Sequence, residues 1–405
     1  LIGISIARHW RSTTIAFDLI ATSDALTTEE RRDLLHKLAF ICAVSSTADA
    51  WPPPESGLGR GNPNFHSDIV SAKGIAAALL NGHPHQREWM DAATREMAEY
   101  MRGYHFPSGC SQEAATYQMV GLNYALLLAI AVRNAGGRDL FTDEPAVLRS
   151  FDYLAQTQTP PDPRSGFCML PTLGHVTVYP WSQTLQVYFA WAARYTARSN
   201  PAFSRRMMAA WKRAGSMVFS WHDWHAGSIW WPVVCLLDTG LPADDAVPQA
   251  SALHEGLGAI LRAPHADGTQ GYLLVKMGAS RGHYDPDEGS LIWYAYGRPL
   301  LADFGCQYNP NIECAWLHNR ISVGHENEVG TCFRVLDSAL HPEVDYICGE
   351  MAVTTTQVWA EWPVRETEFN PRLLPGPHAI PPVTWRRHVL YLHACEAIVL
   401  LDELT

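Results

Sequence analysis

The chain carries two hydrophobic periods, one after the other. From Thr27 to about Leu237 apolar residues recur every three or four positions, the spacing of helices with one buried face. Thr28, Glu29 and Glu30 place acids ahead of a run that begins at Arg31, an order that favours a helix start. Further helices are expected over residues 69–80, opened by Ser67 or Asp68 and stopped at Asn81 and Gly82, and over 88–101, with Met90, Ala93, Met97 and Met101 on one stripe. The longest covers 111–135 and ends at Gly136 and Gly137; others fit 144–156, 182–195, 203–220 and a short piece at 233–237. Long helices joined by short loops predict antiparallel hairpins stacked into an incomplete (α/α) toroid, without a sequence repeat of fixed period.

Beyond Leu241 to Pro248 the period becomes two. Residues 258–262 and 272–277 flank a turn at 266–269 and read as a hairpin, and later strands fit 332–336, 346–356 and 385–401. A helical half followed by antiparallel strands is an α+β chain with segregated domains. Within the second half, Leu291 to Tyr296 reads as a strand, Gly297, Arg298 and Pro299 as a turn, and 300–303 as the returning strand. That hairpin is expected to bring Asp303 back towards His283 and Asp285, with His318 joining from the next element.

Composition narrows the classes. At 405 residues, 47% hydrophobic and 18% charged, the chain is ordered and long enough for two full cores. A net charge of −11 excludes nucleic acid as the main partner, although a local basic cleft still suits an anionic ligand. The aromatic content is tilted towards tryptophan, with fifteen; core packing is the plain reading of each, and indole faces also suit the apolar faces of sugar rings. Nine cysteines without a C-x-x-C pair exclude a zinc knuckle and a dense disulfide framework. Residues 1–7 are too short for a secretory core, and no apolar run reads as long enough to span a bilayer. The start at Leu1 and the stop at Thr405, just after an apolar run, read as truncated ends.

Four places carry chemistry. The loop 61–68 holds Asn64 and His66 ahead of a helix. Glu113 and Tyr117, spaced i and i+4, share a helix face, so that Glu113 can orient the Tyr117 hydroxyl. His283, Asp285 and Asp287 alternate along an extended segment and so point the same way. Asp303 and His318 supply oxygen and nitrogen ligands that suit zinc or manganese. Each has a plain structural alternative: a helix cap, a packing tyrosine, an Asx turn at Asp287 to Gly289, and hydrogen-bonded core groups.

Together these residues resemble the heparinase II/III-like polysaccharide lyases. The likeness is most specific from His283 through Gly289 and Ser290, the segment Gly297-Arg-Pro-Leu-Leu-Ala-Asp303-Phe-Gly305, and His318-Asn319. It implies a helical toroid over residues 1–245, an antiparallel β-sandwich over 246–405, and an active site in the cleft between them. It further implies Tyr117 and His283 as catalytic residues and Asn64, or less closely His66, as the group that neutralises a substrate carboxylate. Asp303 and His318 correspond to metal ligands, with Asp285 where the family often has a second histidine, for a structural divalent ion such as zinc, manganese or calcium. Implied activity is β-elimination on an acidic polysaccharide, a glycosaminoglycan first and alginate second, in a secreted or periplasmic setting.

Substrate contacts are expected from Glu113, His175, Arg281 and Arg320, with Arg60 and Arg298 further candidates for meeting its charge. Trp221 and Trp224 lead a group with Trp181, Trp230 and Trp231 as stacking platforms. Two rival readings stay open: a glycoside hydrolase using Glu113 with Asp285 or Asp287 as its carboxylate pair, and a non-catalytic glycan-binding or cupin-like metal protein.

Overall fold

A computed structural model describes residues 4–47, 63–174, 185–217, 240–244, 249–266, 268–278, 283, 287–303, 315–322, 329–330, 333–354, 357–360, 371–374 and 383–405; at 329–330, 354, 357–360 and 371–374 it describes the backbone alone. The described helices are α1 (Ile4–Ile20), α2 (Thr28–Ser45), α3 (Pro63–Leu79), α4 (Gln86–Tyr104), α5 (Ala115–Asn134), α6 (Leu140–Asp143), α7 (Pro145–Thr157), α8 (Val187–Thr196) and α9 (Pro201–Arg213). The α2 cap is a reciprocal box: Thr27 Oγ1 accepts the Glu30 N–H at 3.2 Å, and Glu30 Oε2 accepts the Thr27 N–H at 2.8 Å. The expected helix at 233–237 lies outside the described residues.

Two helix starts differ from the sequence reading, and both move site residues. Helix α3 begins at Pro63, which suits the first helical turn because proline has no N–H to leave unpaired. Asn64 and His66 therefore sit in a helix and not in a loop. Ser67 and Asp68 do not cap it: the Ser67 hydroxyl donates to Asn64 O, and Asp68 receives Arg8 and Arg11 from α1. Helix α5 begins only at Ala115, so Glu113 lies on the segment before it and the i, i+4 argument for Glu113 and Tyr117 fails. Helix α1 was not expected; its Arg11 pairs with Asp68, 57 residues on.

Helix α3 is central, packing against α1, α4 and α5 with every residue from Pro63 to Ala77 buried except Phe65. Small residues permit that approach. A Cβ on Gly74 would stand 2.1 Å from Leu128 Cδ1 and 2.9 Å from Ala93 Cβ. Helix α5 is long and apolar enough to cross a bilayer, against the expectation of no such run, but 83% of its apolar window is buried inside the protein.

The strands form two five-stranded antiparallel sheets and two small ribbons among the described residues, β1 (Pro161–Asp162) with β2 (Phe167–Cys168) and β11 (Gln357–Ala360) with β12 (Pro371–Leu374). The first sheet has the order β3 (Ala252–His254), β4 (Gly258–Pro264), β5 (Gln270–Lys276), β6 (Leu291–Ala295), β7 (Arg298–Leu301). The second carries β14 (Ala397–Leu404), β13 (Val383–Leu392), β10 (Val344–Thr354) and β8 (Val329–Gly330), with β9 (Arg334–Leu340) also on β10. The expected single strand over 385–401 is two strands, broken at His393–Cys395 by a 3-10 turn. The β6–β7 turn falls at Tyr296 and Gly297, both at positive φ (52° and 69°), one residue before the expected place.

The first sheet is buried on both faces, which is why its strands look continuously apolar. Ala259, Leu261, Leu273, Val275 and Leu291 meet Ile347, Met351, Trp385, Val389 and Tyr391 of the second sheet. Ile260, Tyr272, Leu274, Ile292 and Tyr294 join the helical core instead. Polar bonds also cross that seam: Arg262 Nη2 donates to Gln156 O (2.6 Å) and Gln158 O (3.0 Å), and Tyr272 OH to Thr157 O (3.1 Å). The architecture is an α+β toroid of helices followed by a β-sandwich, joined across one apolar layer.

The seam predicts an acid sensitivity. The His254 ring meets the Tyr153 ring edge-on at 5.4 Å, and burial, then repulsion by Arg262, pushes its pKa down from 6.5 to about 4. Between pH 6.5 and 4 the unfolded chain holds a proton that the folded chain refuses, so this contribution is full above 6.5 and is lost as pH falls through that window. His254→Gln is expected to flatten the fall of the thermal midpoint over that range, read by circular dichroism at a series of pH values.

Candidate active site

The site begins with a carboxylate that sequence spacing assigned to the wrong partner. Glu113 is fully buried on the segment before α5, its own N–H held by Ser111 Oγ at 3.1 Å. Its Oε2 accepts the Asn64 backbone N–H at 3.0 Å, one of the donors that a helix start leaves unpaired. Its Oε1 lies 2.8 Å from His283 Nδ1, across the seam between helices and sheets. Glu113 therefore orients His283, 170 residues away in sequence.

His283 stacks flat on Tyr117, with ring centroids 3.5 Å apart and 2° between planes, and the Phe65 ring meets it edge-on at 6.4 Å. Its φ is +44°, a left-handed conformation that costs a histidine about 1–3 kcal/mol and collects at functional sites. That kink also ends the expected alternation. His283 turns to Glu113, while Asp287 turns to Lys276 and to the Gly174 N–H, so the two do not share a face.

Asn64 is buried, and its Oδ1 has no hydrogen-bond partner among the described residues. A polar atom left so is costly unless something binds there. Two residues on, a helix turns by about 200°. His66 accordingly packs between the rings of Tyr100 (5.9 Å) and Tyr104 (6.1 Å).

Asp303 and His318 come together as expected: Asp303 Oδ2 is 2.9 Å from His318 Nδ1, and both are buried. His318 Nε2 is buried with no hydrogen-bond partner among the described residues. An imidazole held by a carboxylate at one nitrogen and presenting the other fits a cation ligand. Among the described residues no three His, Cys, Asp or Glu side chains converge on one point, and Asp285 lies outside them. His175, Arg281, Trp221 and Trp224, with Arg60, Trp181, Trp230 and Trp231, also lie outside. Arg298 is exposed. Arg320 differs from its expected role: its side chain is wholly buried, 3.5 Å from Glu288 and over the Trp385 ring at 5.4 Å, so it serves the sandwich interior.

Residues that periodicity did not mark hold these loops from behind. Arg387 Nη1 donates to Gly289 O (2.6 Å) and Asn319 O (3.1 Å), tying together the turns beside His283 and His318. Asp402 holds the other side of that guanidinium at 2.7 and 2.9 Å. Burial alone would raise the Asp402 carboxyl, but the bonds from Arg387 and Trp385 outweigh it and hold it below its ordinary value. Gly289 (φ +81°) lies so close to Trp385 that a Cβ would stand 2.4 Å from its ring. Only the period of two along a strand, which puts Arg387 on the same face as Trp385 and Val389, hinted that it faces inward.

No protein-family model matches this chain, and no curated protein matches it. Solved structures do. A heparinase III, in a structure with methylated lysines, is similar with a TM-score of 0.63 and 12% identity over 99% of this chain and 53% of its own. A mutant of the heparan sulfate lyase HepC from Pedobacter heparinus is similar with a TM-score of 0.56 and 12% identity over 98% of this chain and 58% of its own. The chain thus spans a little over half the length of each. Its fold is that of the heparinase-like polysaccharide lyases.

Proposed function

We propose that the protein is a polysaccharide lyase that cleaves uronate-containing chains by β-elimination, with a glycosaminoglycan such as heparan, chondroitin or hyaluronan as substrate. The observation that carries this reading is the flat stack of Tyr117 on His283, with Glu113 bonded to His283 Nδ1. Ionised Glu113 only accepts, so Nδ1 carries the imidazole proton and Nε2 keeps the lone pair of a base. A base and a phenolic acid are then in contact, one from each half of the fold.

In the reaction, His283 or Tyr117 takes the C5 proton of the uronate. The electron pair forms the C4–C5 double bond as the C4–O bond breaks, and Tyr117 gives its proton to the leaving oxygen. Where the two groups leave from one face, Tyr117 starts as a phenolate, takes the C5 proton and hands it to the leaving oxygen; where they leave from opposite faces, His283 takes the C5 proton and phenolic Tyr117 gives its own. The Asn64 amide binds the uronate carboxylate, whose charge grows as the proton departs, so its bond strengthens in the transition state. His66, between two tyrosines, is left out of this scheme.

A structural divalent cation, zinc, manganese or calcium, belongs to the proposal. His318, Asp303 and Asp285 would hold it, and it would supply a fixed positive centre that pins the loops. His175, Arg281, Trp221 and Trp224 remain the proposed substrate contacts, and a secreted or periplasmic setting is where such polymers lie. The hydrolase reading is disfavoured because Glu113, which both of its carboxylate pairs need, has both oxygens bonded, and Asp287 is paired with Lys276.

The test is a digest of heparan, chondroitin, hyaluronan, alginate and ulvan, followed by ultraviolet absorbance and mass analysis of the products. Unsaturated ends from one of them are expected; hydrolytic products, or none, sink the reading. Asn64→Ala is expected to lower kcat about 10²–10³-fold with little change in KM, as when one donor to a developing anion is lost.

A further inference from the structure

Asp287 and Lys276 form an ion pair with both side chains buried, 0% and 1% exposed. Burying two charges is costly, and replacing such a pair with apolar residues is often neutral or stabilising. Stability is therefore a weak reason for its presence. Only Asp287 Oδ1 is used by Lys276. Its Oδ2 accepts the Gly174 N–H at 3.0 Å, a donor in the helical half 113 residues earlier.

Backbone hydrogen bonds hold the turn that carries Asp287. Ser290 N–H donates to Asp287 O (3.0 Å), Gly289 N–H to Lys276 O (2.8 Å), and Lys276 N–H to Ser290 O (3.0 Å). Two residues before Gly174, Thr172 Oγ1 donates to Asp303 O at 3.1 Å. One short helical-half segment is thus tied both to the turn that follows His283 and to the strand end that carries Asp303. Tyr117, Glu113 and Asn64 lie in the other half from His283, so their alignment depends on how the halves are registered. A misplacement of about 1 Å can cost 10²-fold in rate.

We propose that Asp287 is a positioning residue: neutralised by Lys276 within the sheets, it latches the helical half at Gly174 and so fixes His283 in register on Tyr117. The inference rests on the lyase reading of that site for its effect on rate, and on geometry alone for the latch.

Two double variants separate the ion pair from the latch. K276M/D287L removes both charges and the acceptor for Gly174; K276M/D287N removes the charges and keeps an acceptor. K276M/D287N is expected to unfold near the wild-type temperature, and K276M/D287L somewhat below it, because its Gly174 N–H loses its acceptor. K276M/D287L is expected to lose about tenfold or more in kcat at nearly constant KM, and the peptide spanning 171–174 to exchange its amide hydrogens faster. K276M/D287N is expected to stay close to wild type in both. A folded K276M/D287L with wild-type kcat and wild-type protection at 171–174 overturns the proposal. If it does not fold, exchange in the wild type decides: a Gly174 amide as unprotected as an open loop overturns the latch, and strong protection supports it. If the wild type cleaves none of the polymers, the lyase reading fails, and the exchange measurements judge the latch by themselves.

Discussion

Glu113→Gln is expected to fold and to lose turnover by about 10³–10⁴-fold, the scale seen when a carboxylate that orients a catalytic histidine becomes an amide. The cause lies in hydrogen-bond bookkeeping. Glu113 accepts from two donors, the Asn64 N–H and His283 Nδ1. Glutamine has one acceptor oxygen. If that oxygen keeps Asn64, its NH₂ faces Nδ1 and the imidazole must present a lone pair there, moving its proton to Nε2. The proton then occupies the nitrogen that serves as base. Nitrogen-15 chemical shifts of His283 report the tautomer, and initial rates from ultraviolet absorbance report the loss. A variant with the Nδ1–H tautomer and wild-type turnover would remove Glu113 from the orienting role. Glu113→Ala is expected to be worse for the fold, because two buried donors then lose their acceptor, each at about 1–3 kcal/mol.

Tyr117→Phe is expected to keep the fold and the stack while lowering kcat about 10²–10⁴-fold, the range for losing a general acid or base. The ring supplies the flat contact with His283 at 3.5 Å, and phenylalanine preserves it. Only the hydroxyl that protonates the leaving oxygen is gone. A substrate with a better leaving group at C4 is expected to recover part of the rate in this variant and little in Asn64→Ala, which separates the acid from the carboxylate contact. Unchanged turnover by Tyr117→Phe would remove Tyr117 as the acid, whereas no turnover by either form with unchanged glycan binding would favour the non-catalytic reading.

Much of the local structure was legible in the chain. Glu29 and Glu30 mark the first turn of a helix, and Gly82, Gly136 and Gly137 stand just beyond helix ends. The strands at 258–264 and 270–276 were legible as a hairpin around the polar turn at 266–269. Where reading by period failed, a residue had been claimed by a distant partner or by an unusual backbone. Asp68 seemed a cap and is the anchor for Arg8 and Arg11. His283 and Asp287 seemed to share a face, but His283, at a positive φ, turns to Glu113, while Asp287 turns to Lys276 and Gly174.

The sequence by itself determined the order of elements, helices first and antiparallel strands second, because periods of 3.6 and 2 follow from the backbone of each element. It also determined which residue types were available for chemistry. Only the tertiary structure decided that Glu113 serves His283 and not Tyr117, that Arg387 ties two loops, and that Asp287 reaches Gly174. Those pairings join residues 113 to 170 positions apart for Asp287 and Glu113, and 68 to 98 for Arg387. Local periodicity holds no record of contacts at that range, because they arise from how the first sheet buries one face against the helices and the other against the second sheet.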